Sequence, residues 1–238
     1  MKKEILMCMK STYRDDFKIE GYLFGSGEPS VCIVGPMRGD EVQQQYVCAQ
    51  LVHELQAIEA AGCICPDKSI MVIPSCNPFS MNVGRRFWAM DGTDINRMFP
   101  GYNEGETTQR IADAIFQRIQ GYKYGIQLAS FYVPGEFIPH MRMLRTGYED
   151  VEDARLFGMP YVTVRQPLPF DTTLLNYNWQ IWNTSAFSPT MDGRSKRCVP
   201  LSRASSSSPT IDPSSYKTPC SIASSANRLT YELYLITI

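Results

Sequence analysis

The stretch VCIVGPMRGDEVQQQYVCAQLVHELQAIEAAG, residues 31–62, changes its period part-way. Val31 to Val34 is an unbroken apolar run that meets Gly35-Pro36, which is how a buried strand reaches a turn. From Val42 to about Ala60 the period lengthens. Val47, Leu51, Leu55 and Ile58 recur at helical spacing, and Gly62 can end that helix. The same alternation continues outward. Ser69 to Pro74 reads as a second buried strand, and Thr107 to Gln120 as a second helix with Ile111, Ile115 and Ile119 on one face and Gly121 after its end. Tyr124 to Leu128 and Tyr161 to Arg165 read as further strands, and so does Tyr177 to Trp182. A long loop rich in Asn, Gly and Pro runs from Ser75 to Gly105. Strands alternating with helices predict an α/β fold: a mixed, mostly parallel sheet flanked by helices.

The chain has 238 residues, 44% apolar and 20% charged, enough for a sizeable core. A net charge of −1 offers no basic field for nucleic acid or an acidic membrane surface. No apolar run approaches the roughly 20 residues of a membrane span. The start, Met1 to Cys8, lacks the apolar stretch of a signal peptide, so a cytoplasmic location is expected. Eight cysteines (Cys8, Cys32, Cys48, Cys63, Cys65, Cys76, Cys198 and Cys220) form no CxxC pair and are expected to be reduced and mostly buried. The only histidines are His53 and His140.

Composition changes near residue 188. Residues 1–187 hold eight serines, whereas 188–238 hold twelve, with a run from Ser205 to Ser208. The expected organisation is therefore one C-terminally incomplete α/β domain over 1–187. A tail over 188–238 follows, either disordered or the product of a shifted reading frame.

Several segments carry a more specific signal. After the first strand comes Gly35-Pro36-Met37-Arg38-Gly39-Asp40-Glu41, and after the second comes Asn77-Pro78. Arg85-Arg86 leads to Asp94-Ile95-Asn96-Arg97-Met98-Phe99-Pro100-Gly101, followed by Glu106-Thr107-Thr108. Gln127-Leu128-Ala129 and Ile138-Pro139-His140-Met141-Arg142 lie downstream. Together these resemble the succinylglutamate desuccinylase/aspartoacylase family of zinc carboxypeptidase-like hydrolases, over roughly residues 18 to 187. The Asp-Ile-Asn-Arg-x-Phe-Pro-Gly stretch is the most specific part.

The resemblance implies a carboxypeptidase-like fold and an amide hydrolase that deacylates small N-acyl amino acids or peptides. In relatives a His-x-x-Glu pair and a later His bind zinc. Here Arg38 stands at the first histidine, Glu41 at the glutamate, and Ala129 at the second histidine. Glu41 is thus the one vestigial metal residue. Arginine donates only and alanine has no donor atom, so zinc is expected to be absent and catalysis lost or altered. The family's catalytic glutamate comes later, and nothing in the Ser-rich tail matches its surroundings, so the catalytic residues stay unknown.

Arg86, Asn96, Arg97 and His140 are the expected substrate-binding residues, because a guanidinium fork matches a carboxylate. The alternative for Arg97 is a structural turn in which it pairs with an acid; Asp94 is expected to brace that loop. Arg38 is expected either to pair with Glu41 as a fixed substitute for metal charge that draws anions, or to turn to solvent. Gly25-Ser26-Gly27 precedes no helix, which excludes a dinucleotide site. Ser130 has no histidine base in the sequence pattern and there is no GxSxG, which argues against a serine hydrolase. The expected function is a degenerate deacylase; the alternative is a non-catalytic module that binds small carboxylates. The expected partner is a small carboxylate or N-acyl amino acid, with neither nucleic acid nor membrane.

Overall fold

A computed structural model of the chain describes residues 1–12, 15–130, 138–182 and 184–190. The order is β1 (Lys2–Met9), β2 (Phe17–Gly25), β3 (Glu28–Val34), α1 (Val42–Ala60), β4 (Lys68–Ile73), α2 (Pro78–Asn82), α3 (Thr107–Ile119), β5 (Tyr124–Gln127), β6 (His140–Leu144), α4 (Val151–Arg155), β7 (Tyr161–Arg165), α5 (Leu175–Ile181) and β8 (Ser185–Thr190). Single 3-10 turns lie at Ile95–Arg97 and Pro169–Thr173.

These strands form one sheet in the order β1-β2-β4-β3-β5-β8-β6-β7. Neighbours β4/β3, β3/β5, β5/β8 and β6/β7 are parallel; β1/β2, β2/β4 and β8/β6 are antiparallel. The α/β fold with a mixed, mostly parallel sheet is the one expected.

The central strands are apolar on both faces because helices cover both. On one side Val47, Cys48, Leu51 and Leu55 of α1 meet Phe24, Ile33, Val72 and Ile126. On the other, Ile111, Ile115 and Ile119 of α3 and Trp179 of α5 meet Cys32, Val34, Ile73 and Ala186. Gly62 and Gly121 follow α1 and α3 with φ of 67° and 82°, the left-handed geometry that ends helices.

One expectation is corrected. Residues 177–182 belong to helix α5, not to a strand. Asn178, Trp179 and Gln180 are buried in succession, which an alternating strand would not do. Trp179 lies over Gly125, where an added Cβ would come within 2.8 Å of the indole. The composition boundary at 188 also falls inside an element. Strand β8 continues through Thr190, and Ser188, Pro189 and Thr190 pair with Arg142, Met141 and His140. The rest of the Ser-rich segment, with Cys198 and Cys220, lies outside the described residues.

Thiol burial is mixed: Cys32, Cys48 and Cys76 are buried, whereas Cys8 and Cys63 are exposed. Among the described residues no helix is long and apolar enough to cross a membrane.

Candidate functional site

Because β3, β4, β5 and β8 run parallel, the loops leaving their carboxyl ends gather at one edge of the sheet, the usual place for ligands in such folds. Strand β6 runs opposite to β8, so His140, its first residue, starts at this same edge beside Thr190. Its Nδ1 lies 2.8 Å from the Ile138 carbonyl. His53, by contrast, is on the exposed face of α1.

The loop after β3 is held by its neighbours' backbones. The Gly35 amide donates to the Ile73 carbonyl at 2.8 Å and the Cys76 amide to the Pro36 carbonyl at 2.9 Å. Buried Asn77 Nδ2 donates to the Met37 carbonyl at 3.2 Å. At Gly39 an added Cβ would meet the Arg85 carbonyl at 2.2 Å, so the two loops approach too closely for any side chain.

This clamp delivers Arg38 and Glu41 into a network. Glu41, only 3% exposed, begins helix α1. Its Oε1 accepts from the Ser130 amide at 3.0 Å and the Ser130 hydroxyl at 2.8 Å, and lies 3.5 Å from Arg38 Nη1. Its Oε2 accepts from the Arg38 amide at 3.3 Å. Arg38 also donates through Nε at 3.2 Å and Nη2 at 2.8 Å to Asp94 Oδ2. Burial opposes the Arg38 charge, but Asp94 and Glu41 outweigh it and raise its pKa. Asp94 Oδ1 caps the 3-10 turn by accepting from the Asn96 amide at 3.1 Å. Buried Asn96 accepts from Gln127 Nε2 at 2.9 Å. Arg38, Glu41, Asp94, Asn96, Gln127 and Ser130 are thus one connected set.

Arg38 does pair with Glu41, but its charge is shared between two acids rather than left open to an incoming anion. Asp94 braces its turn and also takes the guanidinium. Arg97 leaves this set: its Nη1 donates to the Phe170 carbonyl at 2.8 Å and lies 3.8 Å from Asp171 Oδ1. Arg86 is farther out, 3.2 Å from Asp40 Oδ2 and half-exposed. Asp171 is buried; that burial pushes its carboxyl up, but Arg165, the Leu168 amide and Arg97 hold it below the usual carboxylate value.

These residues do not fit a zinc ion, which takes about four N, S or O donors. Both Glu41 oxygens are engaged, a guanidinium lies beside them, and Ala129 has nothing to offer. Among the described residues no three His, Cys, Asp or Glu side chains converge as a metal site.

Comparison with known proteins agrees with this frame. Residues 27–128 match the succinylglutamate desuccinylase/aspartoacylase catalytic domain. The chain resembles that family over this stretch. It is 32% identical over 85 residues to the N-alpha-acetyl-L-2,4-diaminobutyric acid deacetylase of Halomonas elongata, covering 36% of this chain and 23% of that protein. The solved succinylglutamate desuccinylase/aspartoacylase of Rhodobacter sphaeroides aligns with a TM-score of 0.63 at 16% identity, over 93% of this chain and 58% of its own. A succinylglutamate desuccinylase from Silicibacter sp. aligns at 0.66 and 16%, over 98% and 66%. A metallo-carboxypeptidase from Burkholderia cenocepacia aligns at 0.60 and 11%, over 80% and 55%. The chain therefore shares the carboxypeptidase-like fold and spans only part of its relatives' length.

Sequence reasoning missed Ser130 as a partner of Glu41, and Asp171 altogether. No local pattern signals either, because each acts on a residue more than 70 positions away.

Proposed function

We propose that this chain is a degenerate deacylase: it keeps the fold and carboxylate-binding cleft of an N-acyl amino acid amide hydrolase but does not run metal-assisted hydrolysis at Glu41. The observation that carries this reading is Arg38, held between Glu41 and Asp94 at 3.5 Å and 2.8 Å. A guanidinium cannot ligate a metal or polarise and deprotonate a water as a Lewis acid does. What the cleft retains is recognition. Arg97 offers a planar fork to a small carboxylate, with Asn96 and His140 from neighbouring elements and Arg86 at the outer rim. The ligand class is a small N-acyl amino acid such as the relatives' names imply.

The test pairs metal analysis with an amidase assay on N-acetyl and N-succinyl amino acids. No stoichiometric zinc at micromolar affinity and no turnover are expected. One tightly bound zinc lost on Glu41→Ala would overturn the reading. The double variant Arg38→His, Ala129→His is expected to gain metal binding.

One contact favours residual hydrolysis instead. Ser130 donates its hydroxyl to Glu41 at 2.8 Å, a nucleophile-to-base geometry. Turnover abolished by Ser130→Ala would establish that second reading; the same Glu41 oxygen already accepts the Ser130 amide and lies 3.5 Å from Arg38, which argues against it.

A further inference from the structure

Two ion networks meet at the 94–97 turn, and they differ in formal charge. In the first, one guanidinium, Arg38, is shared by two carboxylates, Glu41 and Asp94. There acids outnumber the single cation. In the second, one carboxylate, Asp171, is shared by two guanidiniums, Arg165 at 2.8 Å and Arg97 at 3.8 Å. Those three side chains by themselves carry a formal charge of about +1.

Arg97 is also oriented within it. Its Nη1 is fixed by the Phe170 carbonyl at 2.8 Å, and its guanidinium carbon lies 5.1 Å from the centre of the Phe170 ring. The Phe99 amide donates to the Thr173 carbonyl at 3.1 Å, tying the 95–97 turn to the 169–173 turn. Among the described residues, the Nε and Nη2 edge of Arg97 makes no hydrogen bond or ion pair, and its side chain keeps 35% exposure. That edge is the pair of parallel donors a carboxylate accepts bidentately.

We infer that Asp171 and Phe170 are positioning residues that present the Nε/Nη2 edge of Arg97 to the carboxylate of a small N-acyl amino acid. This rests on the carboxylate-binding reading above. Asp171 anchors one nitrogen, and because Arg165 shares its charge, Arg97 is not neutralised. Phe170 fixes the plane. Pre-orientation lowers the ordering cost of binding.

The test uses N-acetylglycine as probe and N-acetylglycinamide, which lacks the carboxylate, as control. Binding is followed by nuclear magnetic resonance through the Arg97 Nε–Hε signal, assigned by its loss in Arg97→Lys. In the wild type that signal is expected to be resolved without ligand, and to shift with N-acetylglycine but not with the amide. Asp171→Asn and Phe170→Leu are each expected to broaden the signal and weaken N-acetylglycine binding by about tenfold. Phe170 is 57% exposed, so its variant keeps the fold even where Asp171→Asn does not. If N-acetylglycine leaves the wild-type Arg97 signal unmoved, the carboxylate reading fails and this inference fails with it. If it shifts that signal, yet folded Phe170→Leu or Asp171→Asn binds like the wild type, the positioning alone is overturned.

Discussion

Arg38 reaches three chain segments at once: its own loop through Glu41, the 94–97 turn through Asp94, and, by way of Glu41, the Ser130 backbone. Its side chain is 11% exposed, so removing it strands two acids away from water. Arg38→Met is expected to cost about 3 kcal/mol of unfolding free energy, the scale for stripping one partner from a buried ion pair. Urea denaturation at neutral pH measures it. A loss under about 1 kcal/mol would place the pair with ordinary surface bridges. Thiols at single positions behave as differently as their burial. Burial pushes the Cys32, Cys48 and Cys76 thiols up, Cys48 to about 12, so the nucleophilic thiolate is scarce. Brief alkylation of the native protein at mild alkaline pH, mapped by mass spectrometry, is expected to label exposed Cys8 and Cys63 and spare these three. Labelling of Cys48 at the rate of Cys8 would contradict the packing of α1. That position 38 carries an arginine, which donates only, was visible in the sequence. That Asp94 shares its charge was not, because the two residues are 56 positions apart.

At the level of elements, the 169–173 turn couples β7 to the 95–97 turn through Asp171. Asp171 has a depressed folded pKa, so its stabilisation is present above the unfolded value of about 3.9 and fades as the pH falls through the lower folded value. Asp171→Asn is expected to lose about 2 kcal/mol at neutral pH, the scale of charged hydrogen bonds. Thermal melts at a series of pH values should show that gap closing in acid. A gap that stays constant with pH would mean that the charge of Asp171 contributes nothing. Helix α5 gives the second case. Its Trp179 lies against Gly125, so Gly125→Ala must push the indole aside and is expected to destabilise by about 1 to 3 kcal/mol. An unchanged denaturation midpoint would mean that β5 and α5 do not pack as described. Aromatic residues at 177–182 read as a strand because local propensity favours one; the burial of Trp179 on α3 and β5 overrides it.

Across the whole molecule, sequence periodicity by itself determined the layered α/β frame. Short apolar runs bounded by turn residues fit central strands covered on both faces, and the spacing of Val47, Leu51 and Leu55 presents one helical face. It also determined that Arg38 and Ala129 bring no metal donor to the site, since side-chain chemistry is read directly from residue identity. Only the tertiary structure decided the electrostatics around the 94–97 turn. Charge balance at a site depends on which acids and bases converge, and convergence is set by strand order and loop closure across dozens of residues. The 94–97 turn links one arginine held between two carboxylates to one carboxylate held between two arginines. Those clusters have opposite sign although the chain as a whole carries a net charge of −1.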